Sequence, residues 1–145
     1  MEFLSKELVL IQQEVSTAEE AIKLAGNLLV QEGLVEKSYV KAMLDSFQKN
    51  GAYIVLAPGI ALPHARPEDG VNTASVSFVS LKNPVVFGHP SNDPVSLIFA
   101  LGASSSKEHL KILQKLMSLL QCEKNIEKLR SCTNKEEIQT LIGGN

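Results

Sequence analysis

His64 has the most constrained setting of any reactive side chain in this sequence. It lies within residues 58–71, a segment with two glycines and three prolines, so the backbone there is expected to form a shaped loop. An imidazole has an unperturbed pKa of about 6.5, so one ring nitrogen is nucleophilic near neutral pH. A phosphorylated ring nitrogen is also a good leaving group. This setting favours a role for His64 in accepting and releasing a phosphoryl group. The alternative is that His64 only caps a turn.

His109 is the second histidine whose position suggests a role. Ser105 and Glu108 form a capping-box pattern, which places His109 in the first turn of a predicted helix. The free N–H groups and the positive dipole end of a helix favour phosphate at that position. His109 can hydrogen-bond a phosphoryl group if this turn faces His64, and otherwise it is a solvent-exposed helix residue.

Arg66 carries the cationic side chain nearest to His64 in the sequence. The fork of N–H donors on a guanidinium suits a phosphate group. Arg66 can equally pair with Glu68 or Asp69 in the same loop, and the sequence leaves both interpretations open. The third histidine, His89, is predicted to be a turn residue.

Several other kinds of reactive site are excluded by their missing motifs. The sequence contains no G-x-x-x-x-G-K-[ST], G-x-S-x-G or H-E-x-x-H pattern. The histidines are too widely spaced for a local metal site, so neither a metal nor a cofactor is expected. Cys122 and Cys132 lack the glycine-rich loop of a phosphocysteine carrier, and we interpret them as reduced structural thiols.

Length and charge narrow the class of protein. A chain of 145 residues fits one domain, here residues 1–145. Fourteen Lys plus Arg against sixteen Asp plus Glu leave a net charge of -2, which argues against a basic face for nucleic acid. The N-terminus lacks a signal-peptide pattern, and no run approaches the roughly 18 apolar residues of a membrane helix. A cytoplasmic location is therefore predicted.

Five helices are predicted from capping patterns and from apolar residues at helical spacing. The first helix begins at Ser16 and Glu19 and ends at Gly33, and the second covers residues 36–49 and ends at Gly51. The third helix begins at Ser105, and a short fourth helix covers residues 125–130. The fifth helix begins at Thr133 and Glu136 and ends at Gly143 and Gly144. The predicted apolar stripe of the Ser105 helix consists of Leu110, Leu113, Leu116, Met117 and Leu120.

Strands are predicted mainly in the middle of the chain. Residues 8–15 form either an edge strand or the end of an N-terminal helix, and residues 53–56 form a short buried strand. Residues 74–81 alternate with period two, which predicts one buried face, and Asn83-Pro84 turns the chain into a brief strand at 85–87. The continuously apolar residues 95–101 predict a central strand. The pattern predicts a single α/β domain with a mixed β-sheet flanked by helices.

Several ordered blocks together resemble a known family. Residues 59–66 (GIALPHAR) resemble the active-site signature of the fructose/mannitol-type IIA domains of the bacterial phosphotransferase system, and residues 93–95 (DPV) and 108–110 (EHL) resemble its later blocks. Residues 53–59 (YIVLAPG), 63–71 (PHARPEDGV) and 87–95 (FGHPSNDPV) are most similar to the ascorbate-specific branch. The resemblance extends over nearly the whole chain and implies the mannitol-type IIA fold.

The resemblance implies a phosphoryl relay. His64 is then the phosphorylated residue, which accepts phosphate from the phosphocarrier HPr and passes it to a cysteine of a IIB component. A membrane IIC component, reached through IIB, transports the sugar. His109 matches the second histidine of the family, which supports the phosphohistidine. Ile60 and Leu62 are expected to form an apolar docking rim.

Two points of the resemblance leave alternatives. Mannitol-type members carry an arginine upstream of the active histidine, whereas residues 46–50 here read SFQKN, so Lys49 or Arg66 would have to replace that cation. The function alternatives are a free-standing, phosphorylation-dependent regulatory IIA module and a IIA of the mannitol, fructose or galactitol type. The sequence does not indicate the ring nitrogen that is phosphorylated or the oligomeric state.

Overall fold

The computed structural model describes residues 1–143, which form six strands and five α-helices. The strands are β1 (Glu2–Phe3), β2 (Val9–Gln13), β3 (Val55–Ala57), β4 (Ile60–Ala61), β5 (Ser75–Val85) and β6 (Val95–Gly102). The helices are α1 (Ala18–Gln31), α2 (Lys37–Asn50), α3 (Ser106–Leu120), α4 (Glu123–Ser131) and α5 (Lys135–Gly143). Gly144, part of the predicted end of the last helix, lies outside the described residues. Among residues 1–143, no helix is long and apolar enough to cross a membrane.

The strands form one mixed sheet in the order β1-β5-β6-β4-β3, with β2 also paired to β5. β5 and β6 are antiparallel, as are β3 and β4, whereas β4 runs parallel to β6, and β1 and β2 run parallel to β5. The mixed sheet, the strand at 8–15 and the central position of 95–101 are confirmed. β6 is apolar at nearly every position, with Ser96 the polar exception, because both of its faces are covered.

Helices cover the sheet on both faces, and each face has its own hydrophobic cluster. α1 and α2 pack with Ile98 and Ala100 on one face, while α3, α4 and α5 pack with Leu97, Phe99 and Leu101 on the other. The alternation of buried β6 residues between the two clusters follows from the period of two along a strand.

β5 differs from its predicted form in two ways. The prediction of one buried face was wrong, because Ser75, Ser77 and Ser80 are fully buried as well as the apolar residues between them. The hydroxyl of Ser77 donates to the carbonyl of Ala25 in α1 at 2.7 Å, so a small polar residue is accommodated beneath a helix. The predicted turn at 83–84 was also wrong, since β5 continues to Val85, which pairs with Val95.

Two helix starts lie one residue later than predicted. Thr17 caps α1 instead of Ser16, and its hydroxyl accepts from the N–H of Glu20 at 3.1 Å. In α5, the side-chain oxygen of Asn134 accepts from the N–H of Glu137 at 3.0 Å, so Asn134 takes the place predicted for Thr133.

The predicted apolar stripe of α3 was only partly right. The buried residues of this helix are Ile112, Leu116 and Leu119, whereas Leu110 and Met117 are 56% and 64% exposed. The apolar residues of α3 spread over about half of the helix circumference, and only part of this arc meets the sheet. The rest of the arc leaves large apolar groups in solvent.

The buried strand predicted at 53–56 also requires correction. Residues 52–54 form a short 3-10 helix, and the strand begins at Val55. Gly51 ends α2 with φ +75°, and the chain makes this extra turn before it joins the sheet. As a result, Tyr53 and Leu56 are about half exposed rather than buried, at 45% and 57%.

Candidate functional site

His64 follows a short strand, β4, that is paired with β6 on one side and with β3 on the other. β4 pairs in parallel with β6, and the amide of Leu101 donates to the carbonyl of Pro63 at 3.1 Å. The turn before β4 is held as well, because the amide of Gly59 donates to the carbonyl of Asn92 at 2.9 Å. The backbone that carries His64 is therefore attached to the central strand immediately before the ring, which is partly buried.

A backbone carbonyl sets the orientation and the tautomer of the His64 ring. Nδ1 of His64 lies 2.7 Å from the carbonyl oxygen of Leu62. A carbonyl oxygen only accepts, so Nδ1 carries the proton in this hydrogen bond. In the neutral ring, the lone pair then belongs to Nε2, which is the nucleophilic atom.

The fold brings His109 next to His64. The hydroxyl of Ser105 accepts from the N–H of Glu108 at 3.2 Å, which starts α3 and places His109 in its first turn. The two imidazole centroids are 5.7 Å apart, with an angle of 49° between the ring planes. The His64 ring thus lies close to a second imidazole and to a helix N-terminus.

The surroundings of His109 favour its neutral form. Partial burial lowers the pKa of His109 below its usual value, and the adjacent His64 lowers it further. A neutral His109 still has one N–H group to donate, and it does not repel a second imidazole.

Cationic and acidic side chains together line a cleft that contains His64. Lys49 of α2 and Arg66 of the active loop both border this cleft, together with Ser46 and Tyr53. The side chain of Arg66 is 78% exposed, and its Nε lies 3.9 Å from Glu68 and 3.7 Å from Asp69. The predicted ion pairs of Arg66 with Glu68 and Asp69 are thus present. They are weak because they are long and the Arg66 side chain is exposed to solvent.

Tyr53 is a site residue that the sequence analysis did not identify. Its ring lies edge-on to His64, with centroids 6.2 Å apart and an angle of 72° between planes. Its hydroxyl is 2.9 Å from the hydroxyl of Ser46 on α2. The 3-10 turn at 52–54 presents this ring, and because the sequence predicts a strand there, no local signal indicates the contact.

An apolar groove lies beside His64, between the β3–β4 hairpin and α3. It is lined by Leu56, Leu62, Leu113, Met117 and Ile126, among others. Ile60 and Leu62, the expected docking rim, are only 2% and 4% exposed, so they form the buried side of this surface rather than its rim. The exposed apolar groups are Leu56 and Met117.

His89 and the two cysteines lie apart from this cleft. Nδ1 of His89 accepts from the amides of Ser91 and Asn92 at 3.1 and 3.0 Å, so it holds a turn, as predicted. Cys122 is exposed and Cys132 is buried, and both are free thiols. Within residues 1–143, no group of three potential ligands is arranged to hold a metal ion.

Comparison with known proteins identifies the family. Residues 2–144 match the model of the phosphoenolpyruvate-dependent sugar phosphotransferase system, EIIA 2. The chain belongs to this family. The ascorbate-specific PTS system EIIA component of Escherichia coli (strain K12) is 38% identical to this EIIA over 133 residues, which are 91% of this chain and 86% of the relative.

Solved structures of mannitol IIA proteins share the fold of this EIIA. The IIA in a complex of enzyme IIA mannitol with phosphorylated enzyme IIB mannitol from Escherichia coli is 34% identical, with a TM-score of 0.86 and 99% of each chain covered. The mannitol-specific cryptic phosphotransferase enzyme IIA of Escherichia coli is 30% identical, with a TM-score of 0.87 and coverage of 98% and 96%. The predicted mannitol-type IIA fold is confirmed.

Proposed function

We propose that this EIIA, acting as one module over residues 1–145, accepts a phosphoryl group from phospho-HPr on Nε2 of His64 and transfers it to a IIB cysteine. The observation that carries the proposal is the 2.7 Å contact between Nδ1 of His64 and the Leu62 carbonyl, since it leaves Nε2 as the free nucleophile beside His109. The similarity to an ascorbate-specific EIIA component supports ascorbate as the sugar. In this proposal the relay takes place in the cytoplasm, and a membrane IIC component, reached through IIB, transports the sugar.

In the first step, Nε2 of His64 attacks phosphorus as the nitrogen–phosphorus bond of phospho-HPr breaks. Attack by a neutral imidazole leaves positive charge on the ring, and the Leu62 carbonyl stabilises this charge through the Nδ1 proton. In the second step, the IIB thiolate forms a sulfur–phosphorus bond, and the electron pair of the breaking bond returns to Nε2. Nδ1 keeps its proton throughout.

His109 and the cations of the cleft stabilise the phosphoryl oxygens in this proposal. His109 donates an N–H from the first turn of α3, where the helix dipole adds to the attraction. Arg66 and Lys49 replace the arginine of mannitol-type members, because both line the cleft that contains His64. Arg66 is weakly held by its carboxylate partners, so a phosphoryl dianion can compete for it.

Arg66→Gln is expected to slow phosphoryl transfer about tenfold, because one charge-assisted hydrogen bond to phosphate is lost. The rate of phosphate gain from phospho-HPr measures this effect. Lys82→Gln is the matched control, since Lys82 is also an exposed cation paired with a carboxylate, Glu14, at 3.8 Å. Equal transfer rates for both variants and the wild type would show that Arg66 only pairs with carboxylates of its own loop and does not contact the phosphoryl group.

The apolar groove beside His64 is proposed as the docking surface for both partners. Met117→Asp is expected to raise the KM for phospho-HPr and for IIB about tenfold, because a central apolar contact becomes charged. Thermal stability should stay the same, since Met117 is 64% exposed. Val86→Asp is the control, because Val86 is 71% exposed and does not line the groove. If both variants raise the KM equally, the docking surface does not lie in this groove.

The relay is tested by incubating the chain with Enzyme I, HPr and phosphoenolpyruvate, and then adding IIB proteins. A gain of one acid-labile phosphoryl group, followed by its transfer to an ascorbate-type IIB, is expected. Faster transfer to a mannitol-type IIB would reassign the sugar. A stable phosphorylated chain that transfers to neither IIB would instead favour a regulatory module, and no gain with verified phospho-HPr would contradict the relay.

A further inference from the structure

Tyr39 of α2 has a fully buried side chain whose hydroxyl makes three backbone contacts. The hydroxyl oxygen is 2.7 Å from the carbonyl oxygen of Leu101 and 3.2 Å from that of Ala65. It also accepts from the N–H of Ala65 at 3.0 Å. A phenol has one proton, so the shorter contact identifies the Leu101 carbonyl as its main acceptor. The exposed surface of the residue is 0%.

These contacts join the two segments that carry the histidines. Ala65 directly follows His64, whereas Leu101 lies near the end of β6, which leads into α3 and His109. On the other side of the ring, the amide of Leu101 donates to the carbonyl of Pro63. The backbone is thus attached to Leu101 both before and after His64, directly at Pro63 and through the tyrosine hydroxyl at Ala65.

Packing alone does not account for the hydroxyl. A phenylalanine would fill the same apolar space in the cluster around α1 and α2, while a buried hydroxyl must be fully hydrogen-bonded to be tolerated. Burial raises the pKa of Tyr39 to about 12, so the phenol keeps the donor proton at any working pH.

We propose that Tyr39 is a positioning residue that sets the distance and angle between His64 and His109 by bridging Ala65 and Leu101. The inference rests on the proposed phosphoryl relay at His64. Without the bridge, the chain after His64 loses its attachment to β6, and the ring samples orientations in which Nε2 points away from the incoming phosphorus. A displacement of about 1 Å is enough to slow a transfer about 100-fold.

The test compares Tyr39→Phe with Ser77→Ala. Ser77 is a matched control because its buried hydroxyl also donates a 2.7 Å hydrogen bond to a carbonyl, that of Ala25 on α1, which carries neither histidine. Tyr39→Phe is expected to lower the maximal rate of phosphoryl transfer about 10- to 100-fold with little change in the KM for phospho-HPr. Ser77→Ala is expected to lower thermal stability alone.

Nitrogen-15 NMR of the imidazole rings gives a readout that does not require phosphorylation. In Tyr39→Phe, the His64 signals are expected to move towards a mixture of tautomers, and contacts between the His64 and His109 rings should weaken. If Tyr39→Phe unfolds at the assay temperature, both variants are measured with an osmolyte that favours the folded state. Rates and His64 signals like those of Ser77→Ala would overturn the inference, whereas a wild-type chain that gains no phosphate would overturn the proposed relay itself.

Discussion

Replacement of His64 by alanine is expected to abolish phosphorylation of the chain by phospho-HPr and to leave the fold intact. The hydrogen bond from Nδ1 to Leu62 orients the His64 ring and leaves a free lone pair on Nε2. The ring contributes one hydrogen bond at a partly exposed position, so its loss costs about 1 kcal/mol of stability. Intact-mass measurement after incubation with Enzyme I, HPr and phosphoenolpyruvate checks the first point, and thermal unfolding checks the second.

His89→Ala is the control for the His64 variant. Removing His89 takes away the acceptor of two turn amides and should cost about 1 kcal/mol, as for a lost cap. Because His89 lies outside the cleft, this variant is expected to gain phosphate at the wild-type rate. Phosphate uptake by His64→Ala at that same rate would show that another residue is the acceptor.

Replacement of His109 by alanine is expected to slow phosphoryl transfer with both partners about 100-fold without abolishing it. In the proposed relay the variant loses a hydrogen-bond donor to the developing charge, and such donors contribute about 100- to 1,000-fold in rate. His64 keeps its own anchor at Leu62, so the nucleophile stays competent. Single-turnover rates from phospho-HPr and to IIB measure the effect.

His109→Gln separates the hydrogen bond from the rest of the side chain. Glutamine retains N–H donors, so part of the lost rate is expected to return. Proton NMR titration gives an independent check, because His109 should titrate below its usual value in the wild type. In His64→Ala its pKa should rise, since one of the two causes of the lowering is removed. Unchanged transfer in His109→Ala would leave His109 as a neighbour without a role.

Local sequence signals predicted the central strand well and the active loop in part, since Ile60–Ala61 within the predicted loop form strand β4. The prolines and glycines around His64 have direct backbone consequences, and the apolar residues 95–101 indicate a strand with two covered faces. At two helix starts, the local sequence signal fits two adjacent residues equally well. Ser16 and Thr17 are each followed three residues later by a glutamate, and so are Thr133 and Asn134. In both pairs, the capping pattern is the same, and only tertiary packing decides between the two starts.

The site around His64 was only partly predictable for a different reason. The capping box placed His109 at a helix start, but its 5.7 Å distance from His64 depends on how β4 and β6 pair. Tyr39 reaches the active loop from α2, and Tyr53 reaches it from the turn after α2, through contacts between different elements of the fold. No pattern within a helix or a strand contains that information.

The flanking of His64 on several sides has a consequence for the order of events. Nδ1 faces Leu62, and the ring centroids of Tyr53 and His109 lie 6.2 and 5.7 Å from that of His64. In the proposed relay, donor and acceptor proteins must both reach the same atom, Nε2, so each excludes the other while it is bound. Such a carrier follows double-displacement kinetics, in which an excess of either partner inhibits. The ratio of phosphorylated to unphosphorylated donor then controls the flux as strongly as the total amount of protein.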